Sequence, residues 1–256
     1  MQMPVPDATQ RFSSRVGDYV RFRPSYPPQV VELLKDECGL KPDSVVVDIA
    51  SGTGIFTRLL LENGNWVFGV EPNAEMRRAG EEFLAGYPRF ESVSGTAEAT
   101  TLPNQSIDVA TCAQAAHWFD LAKARKEFVR ILKPGGWAVL LWNERRLNST
   151  PFLREYEQLL LTYGNDYKEV RHERTTETIH QFFAPMPFKL QTFEILQQCD
   201  YAALEGRLLS SSYVPQAGSP NSGSMLTELR RIFDKHQVNG FVTLEYNTLV
   251  YYAQLS

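Results

Sequence analysis

The stretch Val45-Val46-Val47-Asp48-Ile49-Ala50-Ser51-Gly52-Thr53-Gly54 decides the fold. Its first five residues form a short β-branched apolar run, and Ser51-Gly52-Thr53-Gly54 is the punctuation of a strand that stops in a tight turn. Ile55 to Leu61 then reads as a helix. Glycines in such a turn let the backbone approach a ligand closely, and the helix that follows offers unpaired N–H groups.

Working outward, the pattern repeats. Trp66 to Val70 reads as a strand, Pro72 to Leu84 as a helix with its proline near the start, and Phe90 to Val93 as a short strand. A turn at Pro103-Asn104-Gln105-Ser106 leads into a strand over Ile107 to Cys112. Helical periodicity over Leu121 to Leu132 stops at Lys133-Pro134-Gly135-Gly136, and Trp137 to Trp142 is a fifth strand. This alternation predicts an α/β, Rossmann-like fold: a mostly parallel sheet, helices on both faces, and a ligand crevice at the carboxyl ends of the strands. Asp48, Glu71, Ser94, Cys112 and Trp142 then lie along one edge.

The half from Asn148 onward is less regular. It offers a helix around Phe152 to Tyr163, a charged stretch through Arg174, a strand near Phe193 to Gln197 and a Ser/Gly/Pro loop from Ser210 to Ser224, the organisation of an insertion-rich cap. Phe241 to Tyr252 alternates as a terminal strand, expected antiparallel on the sheet's edge.

The chain of 256 residues holds 26 basic and 30 acidic residues, a formal charge of −4. That balance argues against a protein that lives on a nucleic-acid backbone. Cys38, Cys112 and Cys199 are far apart and lack metal-ligand spacing, so neither a zinc site nor a disulfide framework is expected, and a reducing compartment fits. The first residues lack the apolar stretch of a signal peptide, and no run nears the roughly 20 apolar residues that span a bilayer. A cytoplasmic protein without membrane segments is the expectation.

Two carboxylates stand at the predicted ligand edge. Asp48 ends the first strand and Glu71 the second, where a carboxylate can accept hydrogen bonds from ribose hydroxyls. Thr57 occupies the third-glycine position of a G-x-G-x-x-G fingerprint, which weighs against a dinucleotide. Each carboxylate taken alone is also compatible with a polar strand end facing solvent.

VVVDIASGTG (45–54), VFGVEPN (67–73), GTAEATTLPNQSIDVATCAQAAHWF (95–119) and KPGGW (133–137) resemble motifs of the class I S-adenosylmethionine-dependent methyltransferases, of the methyltransferase type 11-like kind. The resemblance spans about residues 12–143. YVRFRPSYP (19–27) and AQAAHWFD (113–120) resemble the trans-aconitate-methyltransferase-like branch, whose members act on small molecules, often carboxylates. The resemblance implies a seven-stranded sheet in one methyltransferase domain over 1–256. Within it would lie an N-terminal lid over about 8–36, a cofactor-binding core over about 37–147, and an insertion or cap with the last strands over about 148–256.

The resemblance also implies roles. Asp48, Ala50 and Gly52 would line the methionine end of S-adenosyl-L-methionine, Glu71 would hold the ribose, and Pro72 with Met76 would border it. Ala97 and Glu98 would flank the adenine, and Gln114 would lie on the cofactor side. Tyr19 and Arg23, with Arg21, would belong to the lid, Tyr19 on the cofactor's carboxylate and Arg23 on an acidic group; an exposed basic helix with an aromatic anchor is the other reading. His117 would remove a proton from the acceptor and Trp118 would wall the acceptor pocket, or His117 would cap a helix. Arg145 and Arg146 would meet an anionic substrate, unless they are surface arginines. Ala50 replaces the family's usual first glycine, and Thr96 replaces its acidic residue near the adenine amine.

The expected activity is methyl transfer to a small molecule, carboxylates included, by a monomer or homodimer without nucleic-acid, membrane or metal partners. The alternatives are a catalytically inactive S-adenosylmethionine-binding protein and an NAD-dependent oxidoreductase. A nucleic-acid methyltransferase would need an Asn/Asp-Pro-Pro-aromatic signature, which does not follow Cys112.

Overall fold

A computed structural model describes residues 21–165, 167, 173–215 and 218–255, with backbone alone at 173–175. Seven strands form one sheet in the order β3-β2-β1-β4-β5-β7-β6. They are β1 (Val45–Ile49), β2 (Trp66–Val70), β3 (Phe90–Val93), β4 (Ile107–Ala113), β5 (Leu132–Arg145), β6 (Lys189–Cys199) and β7 (Val242–Gln254). The helices are α1 (Gln29–Cys38), α2 (Ile55–Glu62), α3 (Ala74–Phe83), α4 (Leu121–Ile131), α5 (Pro151–Tyr163), α6 (Glu173–Phe183), α7 (Tyr201–Leu209) and α8 (Ser222–His236), with a 3-10 turn at Ala116–Trp118.

Strand order reverses between β1 and β4, which pair in parallel at Val46–Val109 and Asp48–Thr111. Parallel pairing also joins β1 to β2, β2 to β3 and β4 to β5. The crevice of such a sheet lies at the reversal, outside the carboxyl ends of the strands. Asp48 and Glu71 are delivered to that edge as the sequence predicts.

Apolar side chains cover the sheet on both faces. Phe128, Ile131, Ile179, Phe182 and Phe183 from α4 and α6 pack on one; Val30, Leu34, Phe56 and Leu60 from α1 and α2 pack on the other. A third cluster joins α5, α7 and α8 to the neighbouring ends of β6 and β7, through Leu153, Leu160, Leu208, Met225, Leu229 and Leu244.

Four expectations change. The terminal strand is antiparallel, as expected, yet it lies between β5 and β6 instead of at the rim. The rim is β6, whose largely exposed and polar residues suit an edge. Next, β5 begins at Leu132, not Trp137. Lys133 to Gly136 bulge out between the pairs Ile107–Leu132 and Val109–Trp137 without ending the strand, and Lys133 is tied to the Asp108 carboxylate at 2.8 and 2.9 Å. The cap is also more regular than it reads, because α6, α7 and α8 were not predicted. Last, α8 starts inside the expected loop, at Ser222, and buries Met225, Leu229, Ile232 and Phe233 on one face.

The N-terminal segment crosses this cap before entering α1. Phe22 lies on α7 where Gly206 leaves room: a Cβ at 206 would come within 2.2 Å of the Phe22 ring. Gln197 Nε2 donates to the Phe22 carbonyl, Asn143 Nδ2 to the Ser25 carbonyl, and Tyr26 packs edge-on against Phe56 with ring centroids 5.0 Å apart. Among the described residues no helix is long and apolar enough to cross a membrane.

Candidate functional site

The turn after β1 departs from ordinary backbone. Ala50, Gly52 and Gly54 have φ of 57°, 57° and 82°. For Ala50 a left-handed conformation costs roughly 1–2 kcal/mol, the kind of local strain that concentrates at ligand sites. Gly54 has no such freedom to change, since a Cβ there would meet Leu84 Cδ1 at 2.6 Å.

Beneath the turn Asp48 is 1% exposed. Its carboxylate accepts from Thr57 Oγ1 at 2.7 Å and from Thr111 Oγ1 at 3.0 Å, tying β1 to α2 and β4. Burial pushes its pKa up to about 6 against these hydrogen bonds. Thr57, noted in the sequence only as a missing glycine, is thus the residue that anchors Asp48.

Glu71 completes the turn from β2. Its Oε2 accepts from the Gly52 amide at 2.9 Å and its Oε1 from the Asn73 amide at 2.8 Å. Burial raises its pKa while these amides oppose the shift. Neither Asp48 nor Glu71 is the solvent-facing strand end of the bland alternative. Asn73 Oδ1 caps α3 by accepting from the amides of Glu75 and Met76, both at 2.9 Å, which sets the buried Met76 against Gly52. Pro72 lies between, half-buried.

A second turn lies nearby in the chain. Ala97 is buried, and Glu98 Oε1 accepts from the Asp120 amide at 2.9 Å where α4 begins. Thr96 is exposed and pairs with Ala99 by a short bridge. Past β4, Gln114 has a φ of 65°, its amide donates to the Leu141 carbonyl and its Nε2 to the Asn143 carbonyl at 3.3 Å. His117 is exposed on the 3-10 turn, its ring 4.6 Å from that of Trp118.

The arginines behave differently from one another. Arg145 is buried in the cap, where Nη2 donates to Glu157 Oε2 at 2.5 Å and Tyr167 Oη at 3.1 Å and the guanidinium lies 5.0 Å from the Tyr156 ring centroid. Arg146 turns outward to Asn247, Glu194 and Glu245. Arg23 Nη2 donates to the Ser210 carbonyl at 3.0 Å, and Arg21 is exposed. Tyr19 lies outside the described residues.

The structure therefore brings Asp48, Ala50, Gly52, Glu71, Pro72 and Met76 together at the switch point, and sets Arg145 apart inside the cap. Sequence reading missed Thr111, which pairs with Asp48 across strands, and Arg207, which follows no motif. At the opposite edge of the sheet a cavity of about 390 Å³ is lined by Cys38, Lys41, Asp43, Asp108, Lys133 and Trp137. Of the charged residues in its lining, Asp108 and Lys133 pair with each other. Among the described residues no three His, Cys, Asp or Glu side chains are grouped to hold a metal.

Comparison with known proteins gives a consistent answer. A methyltransferase-domain family matches residues 47–140. A Mycobacterium tuberculosis protein named as an uncharacterised methyltransferase is 37% identical over 171 residues, which is 66% of this chain and 65% of that one. The chain thus spans slightly less than two thirds of that relative's length. A solved structure from Anaeromyxobacter dehalogenans, assigned provisionally as a type II methyltransferase, superposes with a TM-score of 0.68 over 91% of this chain and 98% of its own, at 22% identity. The [4+2]-cyclase SpnF shares the fold with a TM-score of 0.57 over 99% of this chain and 98% of its own, at 13% identity. Residues 47–140 thus match the methyltransferase-domain family, and the fold of the chain is shared with solved structures named as methyltransferases and with one named as a cyclase.

Proposed function

We propose that this protein is an S-adenosylmethionine-dependent methyltransferase acting on a small-molecule acceptor, carboxylates included. The observation that carries the proposal is the contact between Glu71 and the Gly52 amide above a buried Asp48. It joins the ends of β1 and β2 into one acid-lined turn.

The residues fit the cofactor. Each Glu71 oxygen accepts one amide bond and keeps a lone pair for a ribose hydroxyl. Glycine at 52 leaves open a position only 3.4 Å from Met76 Cε, and Thr53 Oγ1 is buried without a hydrogen-bond partner among the described residues. Asp48, Ala50 and Gly52 would hold the methionine end, Glu71, Pro72 and Met76 the ribose, and Ala97 with Glu98 the adenine. Gln114 would complete the cofactor side, with Tyr19 and Arg23 closing over it.

The bound cofactor supplies an electrophilic methyl group on a sulfonium, so the protein's task is to orient the acceptor in line and exclude water. Trp118 would give the acceptor an apolar wall. His117 would take the proton of a hydroxyl or amine acceptor; an ionised carboxylate needs none removed.

Because SpnF carries this fold and is named a cyclase, the test must read both binding and turnover. Calorimetric titration with S-adenosylhomocysteine, with NAD in parallel, should give micromolar binding of the adenosyl ligand alone, weakened at least about 100-fold in Glu71→Ala. Methyl release from S-adenosylmethionine is then followed over a panel of small carboxylic acids and phenols. Binding of NAD instead, or of neither ligand to folded protein, would sink the reading; adenosyl binding without methyl transfer to any panel member would move it to the inactive binding protein.

A further inference from the structure

Arg207 on α7 is 7% exposed, yet among the described residues no carboxylate pairs with it. Its Nε donates to Tyr246 Oη at 3.2 Å and its Nη1 to Ser211 Oγ at 2.9 Å. The phenols of Tyr213 and Tyr156 and the thiol of Cys199 also face it. Tyr246 Oη lies 3.4 Å from Gln197 Oε1, so the phenol that accepts from Arg207 can pass its own proton onward. The guanidinium is held in place by hydroxyls, and among the described residues no carboxylate balances its charge.

Two more arginines approach the same spot. Burial would raise the Tyr213 phenol, but Arg207, Arg23, a hydrogen bond with Ser211 and Arg145 together outweigh burial and bring it below its ordinary value. Arg145 has its counter-charge in Glu157. Arg207 has none. Removing a guanidinium from water without a counter-charge is unfavourable, and a fold recovers that cost when an anion arrives to take the remaining donors. A planar fork of N–H groups matches the paired oxygens of a carboxylate or phosphate.

The position suits an acceptor. Tyr246 pairs across β7 with Arg145 at the carboxyl end of β5. Asn143, two residues earlier on the same strand, receives the Gln114 side chain and reaches the Ser25 carbonyl of the N-terminal segment. Arg207 therefore stands on the cap side of the same strand ends, across from the acid-lined turn.

We propose that Arg207 is the seat for an anionic group of the acceptor, a carboxylate or phosphate, and that this group anchors the acceptor without being the one methylated. An oxygen held by a guanidinium is a poorer nucleophile than a free one, so the anchored group and the reacting group are distinct. The inference rests on the methyltransferase reading for the identity of the ligand as an acceptor. The seat itself is tested without turnover.

The test is thermal unfolding of the full chain with succinate or inorganic phosphate titrated into the millimolar range, alongside calorimetry with S-adenosylhomocysteine on the same proteins. Either anion should raise the wild-type Tm, and the one with the larger effect names the group. Arg207→Met should hold or raise the Tm without anion, lose the anion-dependent rise, and weaken the anion at least about tenfold, while Arg207→Lys should restore part of the rise. The proposal is overturned if neither anion stabilises the wild type, if Arg207→Met responds as the wild type does, or if Arg207→Met unfolds or loses Tm. In the last case Arg207 is a structural tie between Tyr246 and Ser211. Loss of S-adenosylhomocysteine binding by the wild type would count against the methyltransferase reading alone, because the anion response is measured separately.

Discussion

The switch point and the cap both bury charge, but of opposite sign and by different means. At the switch point two carboxylates, Asp48 and Glu71, are held by hydroxyls and amides from within a few residues of the turn or from the next strand. In the cap two guanidiniums, Arg145 and Arg207, are surrounded by phenols contributed by α5, β7 and the connections between helices, with one carboxylate for the pair. On the proposed methyltransferase reading, the acidic end would suit a cationic sulfonium and the basic end an anionic acceptor. The difference teaches where to look in the cap: Arg145 has a counter-charge in Glu157, whereas among the described residues Arg207 has only hydroxyl partners.

The sharpest way to break this comparison is to turn Arg145 into a second Arg207. Glu157→Gln keeps the shape of the Arg145 partner and removes its charge, leaving the guanidinium buried and unpaired. Loss of one member of a buried pair costs about 3–5 kcal/mol, to be read by urea unfolding at neutral pH. A cost below about 1 kcal/mol would mean that the phenols of Tyr156 and Tyr167 suffice to hold a buried guanidinium, and the distinction between the two arginines would fall.

The acidic end makes a prediction of the opposite kind, in pH. Burial holds Asp48 near 6 in the fold against an ordinary value of 3.8. Between about pH 4 and 6 the native state therefore binds more protons at this site than the unfolded state, and stability from Asp48 rises as pH falls through that window. Glu71 shifts in the same direction. Glu127 runs the other way, held at about 2 chiefly by Arg130, so its contribution is lost only below its ordinary 4.5. The difference between wild type and Asp48→Asn isolates the first effect: going from pH 6.5 to 4.5, the wild type should gain on the order of 2 kcal/mol relative to the variant. A flat difference, or a wild type that loses ground on acidification, contradicts a buried ionised Asp48.

These two regions also differ in how far the sequence discloses them. Val45–Ile49, Trp66–Val70 and Phe90–Val93 were readable to the residue because each is a short run followed within three residues by Gly or Pro, and Asp48 and Glu71 sit at the ends of the first two. Thr57 and Thr111 lay in plain view, but their task depends on Asp48 being buried, which a linear pattern does not record. In the cap, α8 opens with Ser222-Gly223-Ser224, which reads as loop, and its apolar face is completed by α5 and α7, which lie elsewhere in the sequence. Arg207 has no signature at all: Tyr246 is 39 residues away and Tyr156 lies on the far side of β6, so only the packed chain assembles the cluster. The rim position of β6 was equally hidden, since alternation marks a strand without naming its neighbours.

The smallest expected effect comes from the same helix as the largest. Glu155 precedes Glu157 by two residues on α5 and has three basic partners, accepting from Arg231 at 2.9 Å and Lys235 at 2.6 Å, with His236 at 3.1 Å. Its side chain is 28% exposed, that of Glu157 10%. Lys235 and Arg231 hold its carboxyl at about 2, so its contribution is present above the ordinary 4.5 and fades only as pH falls from there toward 2. Water and salt screen an exposed network, and the long side chains lose freedom in forming it, so Glu155→Gln should cost about 0.5 kcal/mol at neutral pH and less at 1 M salt. Its cost should stay flat from pH 5 to 7. If it instead approached the cost of Glu157→Gln, burial would not be what separates the cap's inner charges from its surface ones, and Arg207 would lose its claim to be different.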